Sequence, residues 1–288
     1  MSEVSDRMRR EWKRNDAIRD AGLTTPPDVA RLDDIPYGPE ARWQLLDLYR
    51  PAAPRETPWP VIVSVHGGGW VYGDKELYQY YCMDLARRGF AVVNFTYRLA
   101  PEFKYPAAME DTNAVFHWVL EHAAQYGLDA GRVFAVGDSA GAHMLALYAC
   151  MCTNPEYAAR YAFAPPAGFA PRAIALNCGV YDLENRDGEL MNDLLDGGPT
   201  PENVALISPL RYITPAFPTA FAMAAAGDDL RVQTPLLIRA LEANDVPFVY
   251  RLYGSRDNRL GHVFHCDMRS PDAALCNDEE CDFFRRLV

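Results

Sequence analysis

The chain has 288 residues, 49% of them hydrophobic and 23% charged, a globular balance that excludes a chain too polar to bury a core. Its formal net charge of −11 excludes nucleic acid as a partner, because phosphate binding needs a basic stripe. A length prior of about 150 residues per domain allows two domains. Single α/β domains often reach this size, so one domain over residues 1–288 with a small insertion is expected.

In chain order, Met1 to Asp20 is charged and holds no apolar run long enough for a signal peptide or a membrane span. A cytoplasmic protein with no membrane partner is therefore expected. Ser5 to Ala21 reads as a charged amphipathic helix, broken by Thr25, Pro26 and Pro27, which makes residues 1–40 a lead-in or cap segment. Trp43 to Tyr49 reads as an early strand, and Val61 to Val65 as a β-branched run of the kind buried on both faces of a parallel sheet. A helix from Leu77 to Arg88 and a strand from Ala91 to Tyr97 complete a βαβ unit.

The alternation continues with a helix over Pro106 to Tyr126, a strand over Val133 to Val136, a helix over Ala140 to Met151 and a strand over Ala173 to Cys178. Phe221 to Ala226, Pro235 to Ala243, Phe248 to Tyr253 and Asp278 to Leu287 then read as strand, helix, strand and closing helix. Such a pattern predicts an α/β fold with a mostly parallel central sheet and helices on both faces. Residues 182–218 are polar and rich in glycine and proline, with a short helix over Leu190 to Leu195, and read as a small cap or lid insertion.

Gly137-Asp138-Ser139-Ala140-Gly141 is a GxSxG motif lying directly between a strand and a helix. Small residues two positions to either side of Ser139 let the helix approach the strand, which presents the hydroxyl above the sheet. The bland reading is a strand-to-helix turn with Ser139 as a helix cap. His66-Gly67-Gly68-Gly69-Trp70 follows a buried strand and precedes a helix, the setting of a glycine loop whose amides point into a cavity. A phosphate loop would need Lys and Ser or Thr after its last glycine, and Gly73 is followed by Asp74.

A nucleophilic serine needs a base oriented by a carboxylate, both placed downstream of Ser139. His262, preceded by Gly261, is the candidate base, with His265 read as a packed or capping residue. His117, His122 and His143 lie on helices without the HExxH spacing and read as structural. For the carboxylate, Asp228 and Asp229 both follow the strand ending at Ala226, and Asp182 is a weaker alternative at the end of an earlier strand. Seven cysteines, an odd number, argue against a disulfide framework, and Cys266, Cys276 and Cys281 lack the paired CxxC spacing of zinc sites. Trp70, Tyr72 and the cluster Tyr78, Tyr80 and Tyr81 are candidates for aromatic walls around a substrate, with core packing as the alternative.

Together the HGGGW loop, Tyr97-Arg98-Leu99-Ala100-Pro101-Glu102, GDSAG, Gly227-Asp228-Asp229-Leu230 and His262-Val263-Phe264 resemble the hormone-sensitive-lipase-like esterases of the α/β-hydrolase superfamily. The resemblance implies Ser139, Asp228 and His262 as a catalytic triad, with oxyanion donors from the backbone of Gly68, Gly69 and Ala140, or Gly67 if the loop is set back by one residue. It implies a small-molecule ester substrate, no metal and no organic cofactor. Members of the group mostly hydrolyse short acyl esters, while relatives act as acetyl esterases on sugars or as arylformamidases, and hormone-receptor relatives that lack the histidine only bind ligands. Asp229 stands where the family usually has Pro, and Val263 where it usually has Gly. The sequence leaves the oligomeric state open, a homo-oligomer included.

Overall fold

The computed structural model describes residues 2–184 and 188–288. Met1 of the expected lead-in and residues 185–187 of the expected insertion lie outside the described residues.

The chain begins with helix α1 (Glu3–Asp20), capped by the Ser2 side chain, which accepts the Ser5 amide. It then enters the strands β1 (Val29–Pro36), β2 (Leu45–Pro51) and β3 (Trp59–Val65). There follow α2 (Lys75–Arg87), β4 (Ala91–Phe95), α3 (Ala107–Tyr126), β5 (Leu128–Asp138) and α4 (Ala140–Thr153). After the short α5 (Pro155–Ala158) come β6 (Ala173–Asn177), α6 (Gly188–Leu194), α7 (Pro201–Leu206) and β7 (Thr219–Ala225). The chain closes with α8 (Thr234–Ala243), β8 (Phe248–Tyr253) and α9 (Pro271–Arg285).

These strands form one eight-stranded sheet in the order β1-β2-β4-β3-β5-β6-β7-β8. The first two joins are antiparallel, and every join from β4 to β8 is parallel. Successive side chains on a strand point to opposite faces, so the β-branched and aromatic runs serve both layers at once. Val61, Val63, Val65, Val133 and Ala135 join the core beneath α3 and α4, whereas Ile62, Phe134 and Val136 join the core beneath α2 and α9.

The structure differs from the sequence expectation at both ends of the cap. Residues 29–36 of the expected lead-in form an edge strand, bulged between Leu32 and Ile35 where Asp34 takes φ 56. Its largely exposed VARLDDIP text carries none of the alternation by which strands are recognised. Within residues 182–218, α6 and α7 pack on the helical layer, with the Leu194 and Ile207 carbonyls taking the Tyr105 amide and the His143 ring. No helix among the described residues is long and apolar enough to cross a membrane.

Candidate active site

β5 ends at Asp138 and α4 begins at Ala140, so Ser139 makes the turn between them with φ 52 and ψ −119. This conformation is strained for a residue with a side chain, and it lifts the hydroxyl above the carboxyl edge of the sheet. The helix can lie so close only because its neighbours lack side chains. A Cβ on Gly141 would sit 2.0 Å from the Val65 carbonyl oxygen, and one on Gly137 2.7 Å from that of Gly141. The Ser139 amide donates to the Asn177 carbonyl of β6 at 2.9 Å, tying the turn to the adjacent strand.

The loop after β8 brings His262 over Ser139, with Nε2 2.9 Å from Oγ and Nδ1 2.8 Å from Asp228 Oδ2. Because a carboxylate only accepts, Nδ1 carries the proton and Nε2 is left to accept from the Ser139 hydroxyl. Asp228 follows β7 and is 3% exposed, and its Oδ1 accepts the Leu230 amide at 2.8 Å. Burial alone would raise its carboxyl, but the hydrogen bond and charge of His262 and the Leu230 amide hold it below the ordinary aspartate value.

The other candidates stay out of this chain. Asp229 is exposed on the turn that follows, and Asp182 accepts the Glu184 amide. His265 is fully buried against the Tyr81 ring, where burial lowers its value to about 3. Val263, the position where the family usually has glycine, takes φ 51 and ψ 32, a left-handed conformation that costs a β-branched side chain about 1–2 kcal/mol.

Gly68, Gly69 and Trp70 all take positive φ in the glycine loop, and Gly68 has no room for a side chain because a Cβ would lie 1.9 Å from the Tyr72 carbonyl oxygen. The peptide of Gly67 is committed at both ends. Its carbonyl accepts from His66 Nδ1 at 2.7 Å, and its amide donates to the Tyr78 hydroxyl at 3.0 Å. The Gly67 amide is thus turned toward Tyr78, whereas among the described residues the amides of Gly68, Gly69 and Ala140 meet no protein acceptor. Tyr97 completes the clamp, since its ring stacks on His66 at 3.9 Å and its hydroxyl donates to the His66 carbonyl.

A cleft of about 430 Å³ opens at Ser139 and His262. One wall is α1, through Trp12, Asn15, Asp16 and Arg19. Tyr72, Tyr78, Val263, Phe264 and Asp267 also line it. Tyr72 stands as an aromatic wall, with its hydroxyl on Asp16 at 2.8 Å and its ring 6.0 Å from Trp12.

Trp70, expected beside it, does not line the cleft. Its indole is in the core at 5% exposure, where Nε1 donates to His143 Nδ1 at 3.1 Å, so the partner available to its N–H draws it inward. Tyr80 and Tyr81 also turn away, toward the Leu23 carbonyl and Glu280. Among the described residues of 182–218, none lines this cleft; α6 instead holds the start of α1, with Asp193 accepting from Ser2 and Ser5. The sequence reading gives the N-terminal segment a place as lead-in or cap but singles out none of Trp12, Asn15, Asp16 and Arg19.

Among the described residues, one group of His, Cys, Asp or Glu ligand atoms is close enough to hold a metal ion, namely Cys178, Asp228 and His262, within 4.8 Å of one another. Two of its three members, Asp228 and His262, belong to the hydrogen-bonded chain with Ser139. All seven cysteines are free thiols, and burial pushes those of Cys266, Cys276 and Cys281 well above their ordinary value.

A family model described as BD-FAE matches residues 46–234. Esterase LipQ of Mycobacterium tuberculosis is 33% identical over 196 residues, which cover 64% of this chain and 46% of that protein. Esterase LipI of the same organism is 42% identical over 124 residues, covering 43% and 39%. This chain thus spans less than half the length of these curated relatives. An inhibited esterase B from Lactobacillus rhamnosis superimposes with a TM-score of 0.88 at 26% identity, over 99% of this chain and 97% of that one. The match of the family model across both the glycine loop and the serine turn, on an α/β-hydrolase sheet, places the chain in the BD-FAE family, among the hormone-sensitive-lipase-like α/β-hydrolases.

Proposed function

We propose that the protein is a carboxylic ester hydrolase that works through Ser139, His262 and Asp228. The observation that carries this reading is the unbroken chain from Ser139 Oγ through His262 to the buried Asp228, with Ser139 and His262 lining the cleft. In the first half-reaction Ser139 Oγ bonds to the acyl carbon while its proton passes to His262 Nε2, and that proton then leaves with the alcohol. In the second, water attacks the acyl-enzyme, giving up a proton to His262, and the acid departs as Ser139 recovers its hydrogen. Asp228 keeps Nδ1 protonated and stabilises the imidazolium.

The negative oxygen of each tetrahedral intermediate takes hydrogen bonds from Gly68, Gly69 and Ala140, each worth about 2.7–4 kcal/mol of barrier in a comparable system. Gly67 is not one of the donors, because Tyr78 already holds its amide. The resemblance to the hormone-sensitive-lipase-like esterases extends this reading to short acyl esters, sugar acetates among them, and a cleft of about 430 Å³ has room for such substrates. Of the lead-in over residues 1–40, helix α1 serves as the cap wall, and the reaction asks for no metal or organic cofactor.

The test is hydrolysis of p-nitrophenyl esters from acetate to a long chain, with an acetylated sugar and an aryl formamide alongside and Ser139→Ala as control. Turnover that peaks at short chains and vanishes in S139A is the expected result. Turnover at the parent rate in S139A would overturn the reading, and a stronger response to the formamide would move it to amide chemistry.

A further inference from the structure

Two residues beside the proposed machinery form an arrangement that the reaction as written does not use. Tyr78, in the first turn of α2, accepts the Gly67 amide at 3.0 Å and donates its own hydroxyl hydrogen to Asp138 Oδ2 at 2.7 Å. Asp138 is the last residue of β5, adjacent to Ser139, and is 3% exposed. The fit is close as well as polar. A Cβ on Gly67 would lie 2.4 Å from Asp138 Oδ2 and 2.9 Å from the Tyr78 oxygen. A single phenol therefore joins the residue before the nucleophile to the residue before the free loop amides.

A three-glycine loop has no side chains of its own to fix which amide faces the reacting oxygen. Here the Gly67 carbonyl is held by His66 and the Gly67 amide by Tyr78, so the next two amides are the ones left to turn inward. We infer that Tyr78 and Asp138 are positioning residues that set the register of the oxyanion loop against Ser139, an inference that rests on the ester-hydrolase reading. The Tyr78 hydroxyl spends its hydrogen on Asp138 and its acceptor site on Gly67, so it acts through the loop rather than on the substrate.

The experiment measures kcat, KM and inhibition by butylboronic acid in Tyr78→Phe, Asp138→Ala and the double variant. The boronic acid accepts Ser139 Oγ at boron, with the serine proton passing to His262, and so reports on the tetrahedral state alone. Loss of loop register lowers kcat by about 10- to 100-fold, somewhat less than the full loss of a donor. KM stays within about twofold, and boronate affinity falls by the same factor as kcat. Because the two side chains form one device, Y78F/D138A loses no more than the worse single variant. A kcat within about threefold of parent in both single variants overturns the inference, as do losses that multiply in the double variant or a change confined to KM. S139A separates the two levels: full activity in S139A sinks the ester-hydrolase reading, whereas an inactive S139A beside parent-like Y78F and D138A sinks the register inference alone.

Discussion

Glu280→Gln tests the buried polar layer that supports the nucleophile turn. Glu280 lies on α9 with no exposed surface, where Oε1 accepts the Tyr81 hydroxyl at 3.1 Å and Oε2 accepts Asn177 Nδ2 at 2.6 Å. Burial outweighs both hydrogen bonds and raises its carboxyl from 4.5 to about 7. A raised acid binds its proton more tightly in the folded chain than in the unfolded one. Its stabilising contribution is therefore complete below about pH 4.5 and is lost as the pH rises through about 7. The displacement amounts to about 3 kcal/mol, at roughly 1.4 kcal/mol per tenfold change. About 2 kcal/mol of that loss falls between about pH 5.5 and 8.5. Glutamine keeps the shape, can accept from Asn177 and donate to Tyr81, and cannot ionise. Urea unfolding at matched pH values should show E280Q gaining about 2 kcal/mol on the parent from pH 5.5 to 8.5, or about 4 °C in melting temperature. Parallel stability curves for the two proteins across that range would refute the reasoning.

Lys75→Met should destabilise the fold by about 3–5 kcal/mol, because Asp34, Asp47 and Glu76 all lie within 3.0 Å of its ammonium and Asp47 is 1% exposed. Urea denaturation checks it, and a double variant K75M/D47N no more stable than K75M would contradict the buried-charge explanation. Asp228→Asn should lower kcat by about 10³–10⁴ with KM little changed, since the amide no longer selects the Nδ1–H tautomer. Exposed Asp229→Asn serves as the control, and equal losses in the two variants would show that the assignment between the adjacent acids is misplaced.

The fold is legible in the sequence from Val61 onward, where short apolar runs, buried throughout in β4 and β6 and nearly so in β3 and β7, alternate with helical stretches. It is not legible at β1, a polar edge strand held by the bulge in which the Asp34 amide meets Asp47 and its carboxylate meets Lys75. The proposed triad positions are readable because a serine turn and two loop ends at one sheet edge must each carry a particular residue type. The cleft wall is not readable, since it depends on where α1 comes to rest. Trp70 shows the same limit on a smaller scale. Its place after the glycines suggests a substrate wall, and only the presence of His143 within reach of its indole decides that it turns inward.

Polar tethers rather than apolar burial place α1 over the cleft. Ser5 is its buried residue, and the Met8 side chain adds a small contact with the core at Gly69. Arg9 meets Glu102 and the carbonyls of Ala100 and Val71, Asp16 takes the Tyr72 hydroxyl, and Arg19 reaches the Leu77 carbonyl. From the C-terminal side, Arg269 meets the carbonyls of Arg19 and Ala21. The far ends of most of these tethers are segments that the glycine loop itself requires. Val71 and Tyr72 donate their amides to the Gly68 carbonyl, Ala100 donates to the Trp70 carbonyl, and Tyr97 of the same run clamps His66. The run from Tyr97 to Glu102 thus has two tasks, to hold the loop from below and to anchor the helix above it. A helix as polar as α1 gains little by burying its own surface, so its position follows from the loop it covers, and the wall of the cleft is set by the same residues that set its floor.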